Sequence, residues 1–166
     1  RMSRPQRNTL CAGLLALCTV SAHALQPLVT DDTGTQGQGG NQLEFSWTEE
    51  RARTAGETER ARTLPAVYTR GVSEQLDLYL GVAHQRLHGG GATASGLGNP
   101  TLGAKWRFYE NEASGTSLAF KPEILLPVSE GREQDGLGAG KTSGNLSFIL
   151  SQDVLFGAVH VNAGVG

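Results

Sequence analysis

The chain has 166 residues, a formal charge of −2 and 18% charged residues. With 14 Lys and Arg against 16 Asp and Glu there is no basic surplus, which argues against a nucleic-acid partner. Its two cysteines, Cys11 and Cys18, both sit in the opening segment, so the rest of the chain has neither a disulfide framework nor a thiolate metal site.

Arg1, Arg4 and Arg7 form a basic stretch, Leu10 to Val20 an apolar one, and Ala22-His23-Ala24 supplies small residues at −3 and −1 of a cleavage site. This succession is that of a secretory signal peptide over residues 1–24. The apolar stretch is too short to cross a hydrocarbon layer about 30 Å thick as a helix. Leu17 precedes Cys18 where a lipoprotein signal wants Gly or Ala, so lipidation is not favoured. Removing the leader and its three arginines takes the charge from −2 to −5. Residues 25–40 follow as a polar, Gly-rich leader without a period. No apolar run of about 18 residues comes later, so no transmembrane helix is expected.

From Asn41 the apolar residues recur at every second position, the period of a strand with two unlike faces. Leu43, Phe45 and Trp47 begin the pattern, and Thr63 to Arg70 is its least regular member. The others are Leu76 to Val82, Leu102 to Phe108, Leu118 to Leu126, Leu146 to Leu150 and Val159 to Val165. The breaks alternate in length. Arg51 to Arg62, His88 to Gly98 and Val128 to Thr142 are long. Gly71 to Glu74, Asn111 to Thr116 and the break near Phe156-Gly157 are short. Outer-membrane barrels combine short periplasmic turns with longer outer loops, and a soluble sandwich has no reason to. The expected fold is therefore all-β, an up-and-down antiparallel transmembrane β-barrel over residues 41–166. About seven strands are present by this count, and the barrel is expected to be incomplete because such barrels use an even number.

Asp77, Lys105, Arg107, Lys121 and Glu123 fall out of phase with the apolar residues. In a barrel they are lumen-facing, and on adjacent strands they would form a cross-strand charged ladder. Arginine at Gly103, in the same phase, would be tolerated by a wet lumen. A soluble sandwich would put the same residues on its solvated face, so phase alone does not separate the two. Trp47, Trp106, Phe108 and Tyr109 suit a membrane interface or packing between strands.

Several motifs fail on spacing. Gly136 to Thr142 (GLGAGKT) has Asp135 where a phosphate-binding loop needs its first glycine, and Gly96-x-Gly98 lacks the third glycine of a dinucleotide fingerprint. His84 and His88 would stand about 13 Å apart along a strand, too far to share a metal. No G-x-S-x-G nucleophile motif occurs. No catalytic, metal or cofactor residue is assigned, and no cofactor is expected.

Three segments resemble a family of outer-membrane proteins known as the MetA-pathway-of-phenol-degradation or "transporter" family. They are Leu28-Val29-Thr30-Asp31-Asp32-Thr33-Gly34-Thr35-Gln36-Gly37, Tyr68 to Leu78 (YTRGVSEQLDL) and Gly96 to Arg107 (GLGNPTLGAKWR). Leu126-Pro127-Val128-Ser129-Glu130-Gly131 is similar to a diverged form of its L-P-x-G segment. Asn99 stands where an Asp usually follows G-L-G. The resemblance implies an outer-membrane location and import of apolar or aromatic compounds.

The expected function is a passive channel or transporter in the cell outer membrane, with membrane lipid and small hydrophobic compounds as partners. A membrane-anchored barrel enzyme acting on lipids and a soluble periplasmic ligand-binding β-protein are the alternatives. The export reading makes one prediction. Protein from the membrane fraction should begin at Leu25 on N-terminal sequencing, and a cytosolic product with Met2 intact would contradict it.

Overall fold

A computed structural model of the protein describes residues 30–54 and 57–166. The signal-peptide reading of residues 1–24, with its two cysteines, and residues 25–29 of the leader lie outside them.

Nine strands and one short helix follow in chain order: β1 Asn41–Phe45, β2 Thr48–Thr54, β3 Glu57–Ser73, β4 Leu76–Gly89, β5 Ala92–Leu97, β6 Thr101–Asn111, β7 Thr116–Leu125, α1 Glu130–Gln134, β8 Ser143–Val154 and β9 Gly157–Val165. All nine strands belong to one antiparallel sheet in the order β1-β3-β4-β6-β7-β8-β9, with β2 also on β3 and β5 also on β4. The sheet curls into a half-barrel, and its two outer edges do not meet among the described residues. β1 and β2 keep one register on β3 and are interrupted at Ser46-Trp47, opposite Leu64-Pro65. Pro65 has no N–H to give the ladder there, although its carbonyl still accepts from Ser46 N at 3.3 Å. β5 and β6 run along the same side of β4, separated by Gly98-Asn99-Pro100. Counted as crossings, the strands number seven, as the period indicates.

Two of the three long connections are not loops. Within Arg51 to Arg62, residues 51–54 and 57–62 continue the sheet, with Arg51 opposite Arg60 and Glu49 opposite Arg62. Glu49 pairs with both Arg51 and Arg62, relieving the like-charge pairing. His88 to Gly98 is likewise an extension of the β4–β5 hairpin, turned by Gly90 and Gly91 at φ +57° and +77°. That is the two-residue, positive-φ turn that matches strand twist. Apart from Leu97, both arms carry only polar or small residues, so hydrophobic period cannot reveal them. The third, from Leu126 to Thr142, is irregular apart from α1.

Rows of directly opposite residues settle the two faces. Tyr68, Leu80, Leu102 and Ile124 form one row, and Leu76, Trp106, Phe120 and Phe148 another. These rows lie on the convex face, where Phe148 is 57% exposed. The concave rows are Gln42, Thr69, Tyr79, Gly103, Glu123 and Asn145, and then Arg107, Ala119, Ile149 and Asn162. The buried residues Thr69, Asp77, Ala119, Ile149 and Ser151 belong to this side. A bulge between Arg107 and Tyr109 shifts the β6–β7 register, so Tyr109 sits opposite Leu118. Tyr109 therefore leaves the polar phase in which simple alternation puts it, and both it and Phe108 are exposed.

A Cβ at Gly103 would come within 2.6 Å of the hydroxyl end of the Tyr79 ring, which crosses the glycine to donate to Glu123 Oε1 at 2.9 Å. Arginine there meets this ring as well as the polar face, so it must displace Tyr79 to be accommodated. Gly103→Ala should displace Tyr79 and break its bond to Glu123, seen as a changed Tyr79 ring environment by NMR, while Gly131→Ala, where a Cβ meets nothing, should leave it unaltered.

Candidate functional site

Residues 30–40 cross the concave face as a strap. The segment contains no large apolar residue, so polar contacts hold it. At one end Asn162 Nδ2 donates to the Asp31 carbonyl at 3.2 Å. Thr33 is buried, its N–H donating to Ser151 Oγ at 3.1 Å and its hydroxyl 2.5 Å from Ser117 Oγ. Further along, Gln36 N–H donates to both oxygens of the buried Asp77 carboxylate, at 3.1 and 3.0 Å. Thr35 Oγ1 donates to the Glu74 carbonyl, and Gln38 N–H to Glu74 Oε1. The strap then joins β3 through Gly39 N to Gly71 O and Gly71 N to Gly40 O, both 2.9 Å. It thus reaches from β9 across to β3, satisfying polar groups that the curled sheet turns away from water.

The strongest electrostatic feature lies at Asp31. Lys105 Nζ stands 3.2 Å from Oδ1 and Lys121 Nζ 2.8 Å from Oδ2, one ammonium to each carboxylate oxygen. Asp32 adds a longer contact to Lys105 at 3.9 Å. Burial pushes the Asp31 carboxyl up, but the hydrogen bond from Lys121 and the charges of Lys105 and Lys121 outweigh it and hold the group below its ordinary value.

Beside this centre lies a concave cavity of about 310 Å³. Its floor includes Tyr79, Lys121 and Glu123, with Pro65, Val67 and Ala83 supplying apolar surface. Lys121 Nζ sits 5.2 Å from the Tyr79 ring centroid, within cation–π range. Glu123 accepts from Tyr79 and, at 3.5 Å, from Asn145 Nδ2. At the rim Asn99 pins the 126–142 loop. Its amide nitrogen donates to the carbonyls of Leu126 and Ala139, and its oxygen accepts from Ala139 N.

Asp77, Lys105, Lys121 and Glu123, four of the residues expected from phase, line this cavity, and Arg107 lies beside it on the same concave face. The charged ladder does not form. Lys105 and Lys121 both turn to Asp31, Glu123 serves Tyr79 and Asn145, and Arg107 binds Glu110 at 3.1 Å and the Glu74 carbonyl at 3.0 Å. A free carboxylate on the strap competes better for the lysines than Asp77 and Glu123, which already accept other donors. No family model, curated protein or solved structure matches the chain. Asp31, Thr33, Gln36 and Tyr79 are the site residues that period-two reading passes over. The first three lie in an aperiodic segment, and their only signal is the paired acid Asp31-Asp32. His84 and His88 do not converge: His84 is 3.3 Å from Ser95 Oγ and His88 2.8 Å from Thr93 Oγ1, across the β4–β5 hairpin. Among the described residues no group of three or more His, Cys, Asp or Glu side chains could hold a metal.

The Asp31 centre makes strap docking pH-dependent. A carboxyl whose value is lowered on docking contributes attachment that is complete above its free value of 3.8 and is lost as pH falls through the depressed one. Exchange protection of the Thr33 and Gln36 amides should therefore persist at pH 5 and collapse only on acidification below about pH 4. Asp31→Asn should weaken docking by about 1–2 kcal/mol, allowing for partial solvent screening, and remove that step from the pH profile.

Proposed function

We propose that this chain forms part of an outer-membrane β-barrel that acts as a passive channel or transporter for small compounds. One observation carries the reading: 22 large hydrophobic side chains are exposed among the described residues, and the cross-strand rows gather most of them on the convex face. Soluble monomers rarely leave apolar patches beyond a few hundred Å² in water. The concave side carries the cavity and the charged side chains Asp77, Lys105, Arg107, Lys121 and Glu123, which reverses the arrangement of a soluble sandwich and suits a barrel with lipid outside and a polar lumen within. The charged β2–β3 arm projects past the apolar rows, as an extramembranous hairpin would. Trp106, Phe108 and Tyr109 cluster near the short turn after β6, with the Trp106 and Phe108 rings 5.8 Å apart, in keeping with an interfacial aromatic girdle. The resemblance of residues 28–37, 68–78 and 96–107 to the outer-membrane "transporter" family supports the same assignment, and import of apolar or aromatic compounds belongs to the proposal on that ground.

Spin labels on the full protein in lipid test the membrane part. At Leu78, Leu80, Ala104 and Phe120 they should be reached by oxygen and shielded from a water-soluble relaxation agent. Shielding from both agents would mean a protein core and overturn the reading. The channel part is tested in planar bilayers, where neutralising Lys105 and Arg107 should change ion selectivity. Unchanged selectivity would remove them from the permeation path.

A further inference from the structure

Lys105 and Lys121 sit on neighbouring strands with side-chain exposures of only 16% and 26%. Two partly dehydrated ammonium groups need an anion. The carboxylates of the sheet do not provide it, since Asp77 receives the Gln36 N–H and Glu123 receives Tyr79 and Asn145. The anion comes from outside the sheet, chiefly as the side chain of Asp31, with Asp32 more distant at 3.9 Å from Lys105. Each Asp31 carboxylate oxygen takes one lysine, a geometry that requires only a carboxylate and nothing further of aspartate.

We propose that Lys105 and Lys121 are a binding site for a small organic acid, and that Asp31 is its resting, internal occupant. The adjoining cavity of about 310 Å³ has room for a short apolar body against Pro65, Val67 and the Tyr79 ring. Residues 30–40 bring no large apolar side chain to the face they cover. A ligand with both a carboxylate and a hydrocarbon body therefore matches the ionic contacts of Asp31 and adds burial that the strap does not have. Its entry releases the Asp31 end of the strap. A neutral analogue of equal shape gains the burial without the lysines and does not displace Asp31. This site stands on the concave geometry and does not depend on the convex face meeting lipid.

The test uses the full chain in detergent, with butyrate as probe and butyramide as its neutral counterpart, titrated calorimetrically. Apparent affinity falls with the fraction of sites already occupied, so Asp31→Asn should bind butyrate about tenfold more tightly than the unaltered protein. Adding Lys105→Gln and Lys121→Gln to Asp31→Asn should abolish the gain, and butyramide should not distinguish the variants. In the unaltered protein, saturating butyrate should accelerate exchange of the Thr33 amide and butyramide should not. Equal butyrate affinity with and without Asp31, or Thr33 exchange indifferent to butyrate, would overturn the site. Neither readout involves transport or a bilayer, so failure here is separable from failure of the membrane assignment, which the spin labels report.

Discussion

Strand alternation sends the large apolar side chains of this sheet to its convex face, and no described segment covers them. Most of the remaining architecture answers to that constraint. With the apolar surface outside, the concave side receives the polar residues, and the curl of the sheet draws them together away from bulk water. Buried polar groups require partners. Asp77, Ser151 and the two lysines find theirs in residues 30–40, and Asn99 holds the 126–142 loop at the rim. Among the described residues the buried apolar side chains are few, namely Ala119, Ile149, Val128 and Leu137. What holds the sheet together is its ladder of backbone bonds.

The charges divide their partners by availability. Tyr79 reaches over Gly103 to Glu123, and Gln36 donates to Asp77, leaving the cationic pair on β6 and β7 to the strap, where Asp31 bridges both lysines and Asp32 stands 3.9 Å from Lys105. Arg107 is drawn instead to Glu110 and the turn at Glu74. Its Nε is buried without a hydrogen-bond partner among the described residues, a cost that the contacts of its two terminal nitrogens offset. The concave face is thus a set of committed donors and acceptors, with the Asp31 centre between its two lysines and the Arg107–Glu110 pair to one side.

Much of this arrangement was legible in the sequence, and the remainder was not for definable reasons. A period of two reports which side chains share a face. It therefore located Leu78, Leu80, Leu102 and Phe120 on one side and Asp77, Lys105, Lys121 and Glu123 on the other. It fails where both faces are polar, which is why the arms around Arg51 to Arg62 and His88 to Gly98 read as loops. A bulge breaks the period, and Tyr109 changes sides for that reason. The Tyr79–Gly103 contact depends on the β4–β6 register, which no single strand encodes. The strap has no period at all, and the roles of Asp31, Thr33 and Gln36 depend on residues 41 to 131 positions away.

That separation bears on the order in which the chain folds. Apart from the strap, and counting β1 with β2 and β5 with β6 as one strand each, the pairings join neighbours in sequence, so the sheet can grow hairpin by hairpin with the 126–142 loop the longest to close. The strap is the exception. Its hydrogen bonds to Ser151 and Asn162 span 118 and 131 positions, and both partners belong to the last two strands. The Thr33 N–H and the Asp31 carbonyl therefore find these partners only once β8 and β9 are in place, whereas Gln36 and Gly39 meet theirs on β4 and β3. The Asp31 to Thr33 end of the strap thus docks only on strands already paired in register, and so reports on the pairing of β8 with β9 beneath it.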